Sequence, residues 1–556
     1  MCDEPPDGEA WGNEVVGMGR KVGALLVGLA LLSGACASGS DGDGEQAADG
    51  TVSGGEFSVA LKEPDGLLPA NSTTVYSGQV ISALFTGLVE YDARTAEPRN
   101  AMAQTIESAD QQHWTIKLKE GWKFHNGEAV TAKSYVDAWN FAAYAPNGNE
   151  NSFFFANVDG YDDLQGDPDA SPPVAPSARE MSGLAVVDDT TFTVRLKEPF
   201  TQFPLTLGYQ AFAPMPPAAY ADIKAYEQAP IGNGPFMMDG SWRHDEAIHV
   251  KRFPGYPGKA AAADAVEFRI YTADDTGFRE LQARGLDIAT AIPLAELDAV
   301  RAEYGRRLVE RNSAAFNYLG FNMTDPVFAA RKELRQAISL AIDRDTIIDK
   351  IFNGTREPAR SVIAPLVPGS RPDACRTCTL DVARAKQLLA EAGGFSGTLR
   401  LWFAAGQENE IPMEAIANQL RQNLGIADVA FETLQVAELK AKIKAREVTG
   451  PFLFNWLMDY PSPQSYLEPL YTSASSSNRT GYTNARVDDL IAQGNRAPSL
   501  AESIKAYQAA EDVILDEMPV VPLWFGKTRA AHSERVAGVT IDPFSRIRVA
   551  DVRVVG

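Results

Sequence analysis

Apolar and polar positions divide most of the chain into short strands and helices, some alternating at period two and others repeating at three and four. Glu56 to Leu61 alternates as a strand does, and Pro64-Asp65-Gly66 then turns the chain. Val75 to Leu88 is an apolar helical stretch ending near Gly87. His113 to Leu118 and Thr191 to Leu196 share one alternating pattern and the same Lys-Glu after it, which predicts two half-buried antiparallel strands. Between them lie an aromatic helix, Ala132 to Tyr144, and a polar segment rich in Asp and Pro, Gly160 to Arg179. The stretch these strands bound reads as a compact insertion. Ile231 to Phe236 is a tight glycine turn entering a strand, and no Gly-Lys-Ser/Thr follows it, so it is not a nucleotide loop.

The second half is more helical. Leu334, Ala337, Ile338, Ala341 and Ile342 fall on one helical face. Asp343 then caps a second helix carrying Ile347, Ile348 and Ile351, expected to end at Asn353-Gly354. Ala383 to Ala392 is a helix closed by Gly393-Gly394, and Ile504, Tyr507, Glu511, Ile514 and Met518 mark a last amphipathic helix before Pro519. Phe452 to Pro463 joins a strand-like apolar run to one acidic residue, Asp459, with Pro461 and Pro463 stopping the strand. A carboxylate emerging there, beside Trp456 and Tyr460, is placed to receive a positively charged group. The competing reading is a turn aspartate that bonds its own backbone. Alternating helices and strands predict mixed α/β lobes, and 556 residues are enough for two or three domains.

Charge narrows the partners. Against 51 Lys and Arg stand 73 Asp and Glu, a net charge of -22, whereas nucleic acid and anionic membrane surfaces need a basic footprint. The N-terminus carries a targeting signal that starts late: Met18-Gly19-Arg20-Lys21 is a basic lead-in to the apolar run Val22 to Leu32, so Met18 reads as the true start. The run is too short for a permanent membrane span. Leu32 to Cys36 resembles a bacterial lipobox with its leucine one place further from the cysteine than usual, which implies lipidation at Cys36; cleavage near Ala35 by an ordinary signal peptidase is the alternative. Residues 37–55, rich in Gly, Ser and Asp, form a flexible tether. Outside the cytoplasm, the remaining pair Cys375 and Cys378 reads as a local disulfide in preference to half a zinc site or a redox motif.

Catalytic signatures are hard to find. The sequence has no His-Glu-x-x-His and no Gly-x-Ser-x-Gly, and His113, His125, His244, His249 and His532 show no metal spacing. No cofactor or metal is expected.

Five stretches in order carry a resemblance: LFTGLVEYD (84–92), LKEGWKFHNGEAVTAKSYVDAW (118–139), IGNGPFMM (231–238), LGFNMTDPVFAARKELRQAISLAIDRDTII (319–348) and NWLMDYPSPQSYL (455–467). Together they resemble the bacterial extracellular solute-binding proteins of family 5, the oligopeptide and dipeptide receptors of ABC importers, over nearly everything after the tether. The resemblance implies an α/β, two-lobed periplasmic-binding-protein-like fold of type II in its large three-domain form, with a hinge and an interlobe ligand cleft. It implies a discontinuous first lobe of residues 51–85, 182–314 and 528–556, an insertion domain of 86–181 and a second lobe of 315–527.

It further implies that Asp459, in a Trp-x-x-Asp-Tyr motif with Tyr460, pairs with a peptide's α-ammonium. Asn455, Trp456 and Leu457 match a strand that holds the peptide main chain, and Thr73 and Val75 match positions opposite. Asn317 and Tyr318 are further ligand candidates, and Phe153, Phe154 and Phe155 are candidates to line the cleft. The family's basic residue for the peptide carboxylate falls at Leu453, with Lys444 as a substitute, and the family's disulfide to this motif is replaced by Leu457 and Ala315. The implied protein is no enzyme: a monomer anchored by lipid at the outer face of the cytoplasmic membrane, handing peptides to permease subunits driven by cytoplasmic ATPase subunits. Alternatives are a nickel chelate, haem, a glycan or an opine-like compound as the solute and, in a different class, an exported hydrolase.

Overall fold

The computed structural model describes residues 54–555 apart from 168, 169 and 274, and of Gln407 only the backbone. Cys2, the signal, Cys36 and the tether up to residue 53 lie outside the described residues. Two large apolar cores organise the rest. One gathers side chains from Phe57 to Ile288 together with the C-terminal run Ala530 to Val552. The other gathers Ala314 to Phe525. The chain therefore leaves a first lobe once, builds a second, and returns.

One mixed sheet of eleven strands runs through both lobes. At its centre stand two 13-residue strands, Leu308–Gly320 and Val520–His532, which carry the chain out and back. They pair antiparallel, Leu308 to Asn312 against Lys527 to Ala531 and Phe316 to Gly320 against Val520 to Phe525, with a register shift between Asn312 and Phe316. Ser313 to Ala315 is thus a bulge between the two cores. Gly526 faces it, where a Cβ would stand 3.4 Å from that of Ala315. A bulge interrupts the ladder and bends its strand, which makes this crossing the hinge. In the first lobe the sheet continues through Ile288–Ala289, Glu56–Leu61, Ala265–Ile270, Ala247–Arg252 and Phe236–Met238, and in the second through Phe452–Trp456, Leu399–Ala404 and Val429–Leu434.

A separate four-stranded sheet has the order Ala103–Glu107, His113–Leu118, Thr191–Arg195, Leu184–Asp188. The two look-alike strands pair directly and antiparallel, from His113 opposite Arg195 to Lys117 opposite Thr191. The helix Ala132–Ala143 covers them, with Tyr135 stacked on Phe192 and Trp139 edge-on to it.

Two helices are shorter than their apolar patterns suggest. Val75–Leu84 stops four residues before Leu88. The glycine turn stops it: the Gly234 amide donates to the Leu84 carbonyl at 2.8 Å, and Asn233 bonds both the amide and the carbonyl of Thr86. Gly232 lies so close that a Cβ there would stand 1.9 Å from the Leu84 oxygen. On its other side Gly232 exchanges hydrogen bonds with His125, whose burial pushes its pKa down to about 4 and keeps it neutral. The helix capped by Asp343, Arg344–Lys350, ends before Asn353-Gly354, where both residues take positive φ. Cys375 and Cys378 are disulfide-bonded, and Arg371 ties their loop to the buried carboxylate of Glu511 at 2.7 Å. Among the described residues no group of His, Cys, Asp and Glu could hold a metal, and no helix is long and apolar enough to cross a membrane.

Candidate functional site

Phe452–Trp456 is buried on one side by the crossing strand Leu308–Gly320, with Trp456 opposite Phe316 and Asn455 opposite Asn317. On its other side it meets the strand Leu399–Ala404 only at Phe452 and Trp402. Leu453 to Trp456 therefore present an open edge of backbone donors and acceptors. The chain then turns toward the first lobe, and the helix Gln464–Tyr471 fixes the turn: the Ser465 hydroxyl accepts from the Asp459 amide at 2.9 Å, and the Ser465 carbonyl accepts from the Trp456 indole at 2.7 Å. Tyr460 donates to Gln464.

These contacts leave the Asp459 carboxylate out of the turn. Among the described residues it makes no hydrogen bond and no ion pair, which removes the reading of a turn aspartate bonding its own backbone. Burial raises its pKa to about 7, because a carboxylate that has lost water and gained no donor resists ionisation. Such a group in an otherwise well-bonded protein is able to accept hydrogen bonds from a cation.

Asp459 faces a cavity of about 130 Å³ between the lobes. Leu457 and Met458 line it with Asp459 on the second-lobe side; opposite stand Thr73 to Val75, Gly78, Tyr91, Tyr209, Gln210, Phe544 and Arg546. The Thr73 lip is held by Asp65, which accepts from the Thr73 amide at 3.0 Å, the Thr73 hydroxyl at 2.7 Å and the Thr74 hydroxyl at 2.9 Å. Burial pushes the Asp65 pKa up, but donors from Ser77, Thr73 and Thr74 outweigh it and leave the pKa lowered. Asp65 thus differs from Asp459 in kind: one carboxylate is saturated with donors, the other has none.

The cleft is shut. Ser462 donates to Gln202 at 2.8 Å with both side chains buried, and the Thr201 amide donates to the Asn495 carbonyl at 2.8 Å. Arg496 pairs with Glu198 at 2.7 Å at the surface. Tyr460, from the second lobe, packs into the first-lobe core.

Of the residues singled out from the sequence, Asp459, Leu457, Thr73 and Val75 meet at this cavity. Trp456 and Asn455 lie on the strand leading to it, and Asn317 lies beside Asn455, its amide reaching the Trp524 carbonyl at 3.4 Å. Tyr318 points into the second-lobe core, 1% exposed and stacked on Phe316. Lys444 is exposed at the end of the helix Val436–Lys444, outside the cavity lining. Phe155 is core and Phe153 is 59% exposed, so neither lines the cavity; Phe154 reaches it indirectly by stacking on Tyr209 at 4.3 Å. Asp65, Tyr209, Gln210, Phe544 and Arg546 carry no motif and emerge only from the fold. A larger cavity of about 760 Å³ lies wholly in the first lobe and shares Tyr91, Tyr209, Gln210, Phe544 and Arg546 with the small one.

Residues 97–478 match the bacterial extracellular solute-binding proteins, family 5 (middle region). The glutathione-binding protein GsiB of Escherichia coli (strain K12) is 27% identical over 495 residues, covering 85% of this chain and 90% of that one. Among solved structures, the murein tripeptide binding protein MppA of Escherichia coli superposes with a TM-score of 0.76 at 22% identity, over 91% of this chain and 99% of that one. The ABC transporter substrate binding protein CtaP of Listeria monocytogenes gives 0.77 at 22% identity, over 91% and 100%. The structural matches share the two-lobed type II fold.

Proposed function

Because this chain belongs to the bacterial extracellular solute-binding proteins of family 5, the exported capture components of ABC importers and not enzymes, we propose that its solutes are short peptides, enclosed between the lobes and delivered to a permease. The observation that carries this reading is the carboxylate of Asp459, half-buried at an interlobe cavity and without a partner among the described residues. An α-ammonium supplies the missing charge and donors, so the pair forms in a partly desolvated cleft where the Coulomb attraction is stronger than in bulk water. The open edge at Leu453 to Trp456 provides main-chain partners for an extended ligand, with Asn455, Trp456, Leu457, Thr73 and Val75 along its course. Asn317 flanks this surface beside Asn455 and Tyr460 follows Asp459 into the first-lobe core, whereas Tyr318 is core and Lys444 lies outside the cavity lining. Ligand contacts to both lobes favour the closed state, which is the form a permease reads.

In this proposal the mature protein is a monomer held by lipid on Cys36 at the outer face of the cytoplasmic membrane, with the Cys375–Cys378 loop as a local brace. The relatives named for glutathione and for murein tripeptide, and an oligopeptide receptor solved with the nonapeptide RPPGFSPFR, favour a peptide over a nickel chelate, haem or a glycan. Native mass spectrometry of the exported chain, purified from peptide-rich cells without denaturation, tests the reading. Added masses that fragment as peptides and vanish in Asp459→Asn support it; one discrete non-peptide mass contradicts it.

A further inference from the structure

Arg546 stands across the small cavity from Asp459, on the other lobe. Its Nε and Nη2 are fixed on the Asp542 carboxylate at 2.8 and 2.7 Å. Asp542 is itself held by the amides of Phe544 and Arg546, at 2.9 and 3.0 Å. The guanidinium lies 4.9 Å over the Phe544 ring. This clamp leaves Nη1 without a hydrogen bond among the described residues, beside Gly78 in the wall of the cavity. At Gly78 a Cβ would stand 3.2 Å from Gln210 Oε1 and, in ordinary contact, 3.8 Å from Nη1, so the arginine lies against the bare helix surface.

Asp542 occupies two of the three guanidinium nitrogens. It borders the large cavity and not the small one, and Arg311 and Arg548 also feel its charge. Asp459 and Arg546 act on the same two phenols, Tyr91 and Tyr209, the aspartate pushing their ionisation up and the arginine pulling it down. The two groups share a chamber without forming an ion pair. A planar guanidinium fixed on two sides, with one donor edge left over, is a carboxylate receptor.

We propose that Asp459 and Arg546 together hold an amino-acid head, an ammonium and a carboxylate borne on one carbon, and so select peptides joined through a side-chain carboxyl, such as γ-glutamyl peptides. An α-linked peptide has spent that carboxylate in its first amide bond and leaves Arg546 unanswered. This rests on the reading of Asp459 as the ammonium anchor and adds the second charge. A cavity of about 130 Å³ suits such a head group, with the rest of the ligand running along the open strand edge.

Calorimetric titration of the exported chain with γ-Glu-Gly-Gly, α-Glu-Gly-Gly and triglycine separates the two ideas. The wild type is expected to bind the γ isomer at least about tenfold more tightly than the α isomer, about 1.4 kcal/mol or more. In Arg546→Met that ratio collapses toward one, and Arg546→Lys recovers part of it; thermal melting of each variant reports whether the Asp542 turn survives. If the variants do not fold, the isomer ratio of the wild type decides alone. Equal binding of both isomers by the wild type overturns the inference and leaves the peptide reading standing. Binding of none of the three overturns both.

Discussion

Asp65, behind the Thr73 lip, and Asp459, across the small chamber from that lip, bond in opposite ways: Asp65 accepts from the Thr73 amide and the Thr73 and Thr74 hydroxyls, while the Asp459 carboxylate accepts no hydrogen bond among the described residues. The first fixes the Thr73 lip, and the second is the group proposed to take the ligand's ammonium. Removing the second therefore leaves the fold and takes the anchor. Asp459→Asn is expected to weaken peptide binding by about 2–5 kcal/mol, since it strips the partner from a desolvated ammonium. Calorimetric titration reads this directly.

The same substitution has the opposite sign on the empty protein. With its pKa raised to about 7, Asp459 keeps a proton in the folded state that the unfolded chain releases near its ordinary value. Its contribution to stability is fully present below that ordinary value and is lost as pH rises toward 7. Allowing for water reaching the cleft, the loss is about 1–3 kcal/mol. Ligand-free Asp459→Asn is therefore expected to become more stable than the wild type as pH rises from 4 to 7.5, in paired urea titrations. Peptide affinity of the wild type should rise over the same interval and level off above pH 7, because the ammonium needs the ionised carboxylate.

Closure depends on a buried contact and hardly on a surface one. Gln202→Ala takes the acceptor from the buried Ser462 hydroxyl, which keeps only the donated bond from the Gln464 amide, and is expected to cost the closed form about 1–3 kcal/mol, lowering apparent ligand affinity and enlarging the ligand-free molecule in small-angle scattering. Glu198→Gln, which breaks the exposed pair with Arg496, is expected to change affinity by less than about 1 kcal/mol at physiological salt.

Gly232→Ala tests why the glycine turn exists. Its new methyl would collide with the backbone oxygen of Leu84, which cannot move without uncapping the helix Val75–Leu84 that carries the lip. A loss of about 3 kcal/mol or more in chemical unfolding is expected, with normal affinity in whatever fraction folds.

Much of this was legible in the sequence because it is local. Period-two alternation marks His113–Leu118 and Thr191–Arg195, and Pro461 and Pro463 mark where the strand before Asp459 must stop. The resemblance put the crossing between the lobes at 314/315 and 527/528, but the bulge at Ser313 to Ala315 was hidden, because it appears only against the register of its partner strand. Arg546 was equally hidden. Its role depends on the carboxylate of Asp542 four residues earlier and on a cavity wall that includes Gly78 from the far end of the chain, and neither spacing carries a periodic signal. In the strand Phe316 to Gly320, alternation alone sends Asn317 and Tyr318 to opposite faces, and burial assigns Tyr318 to the core.

The most direct test of the account is a crystal structure of the protein purified with the ligand it carries from the cell. The account predicts density in the interlobe cavity, with a ligand nitrogen about 3 Å from the Asp459 carboxylate and a chain leading along Leu453 to Trp456. Density confined to the large first-lobe cavity, with Asp459 facing no cation, would contradict it.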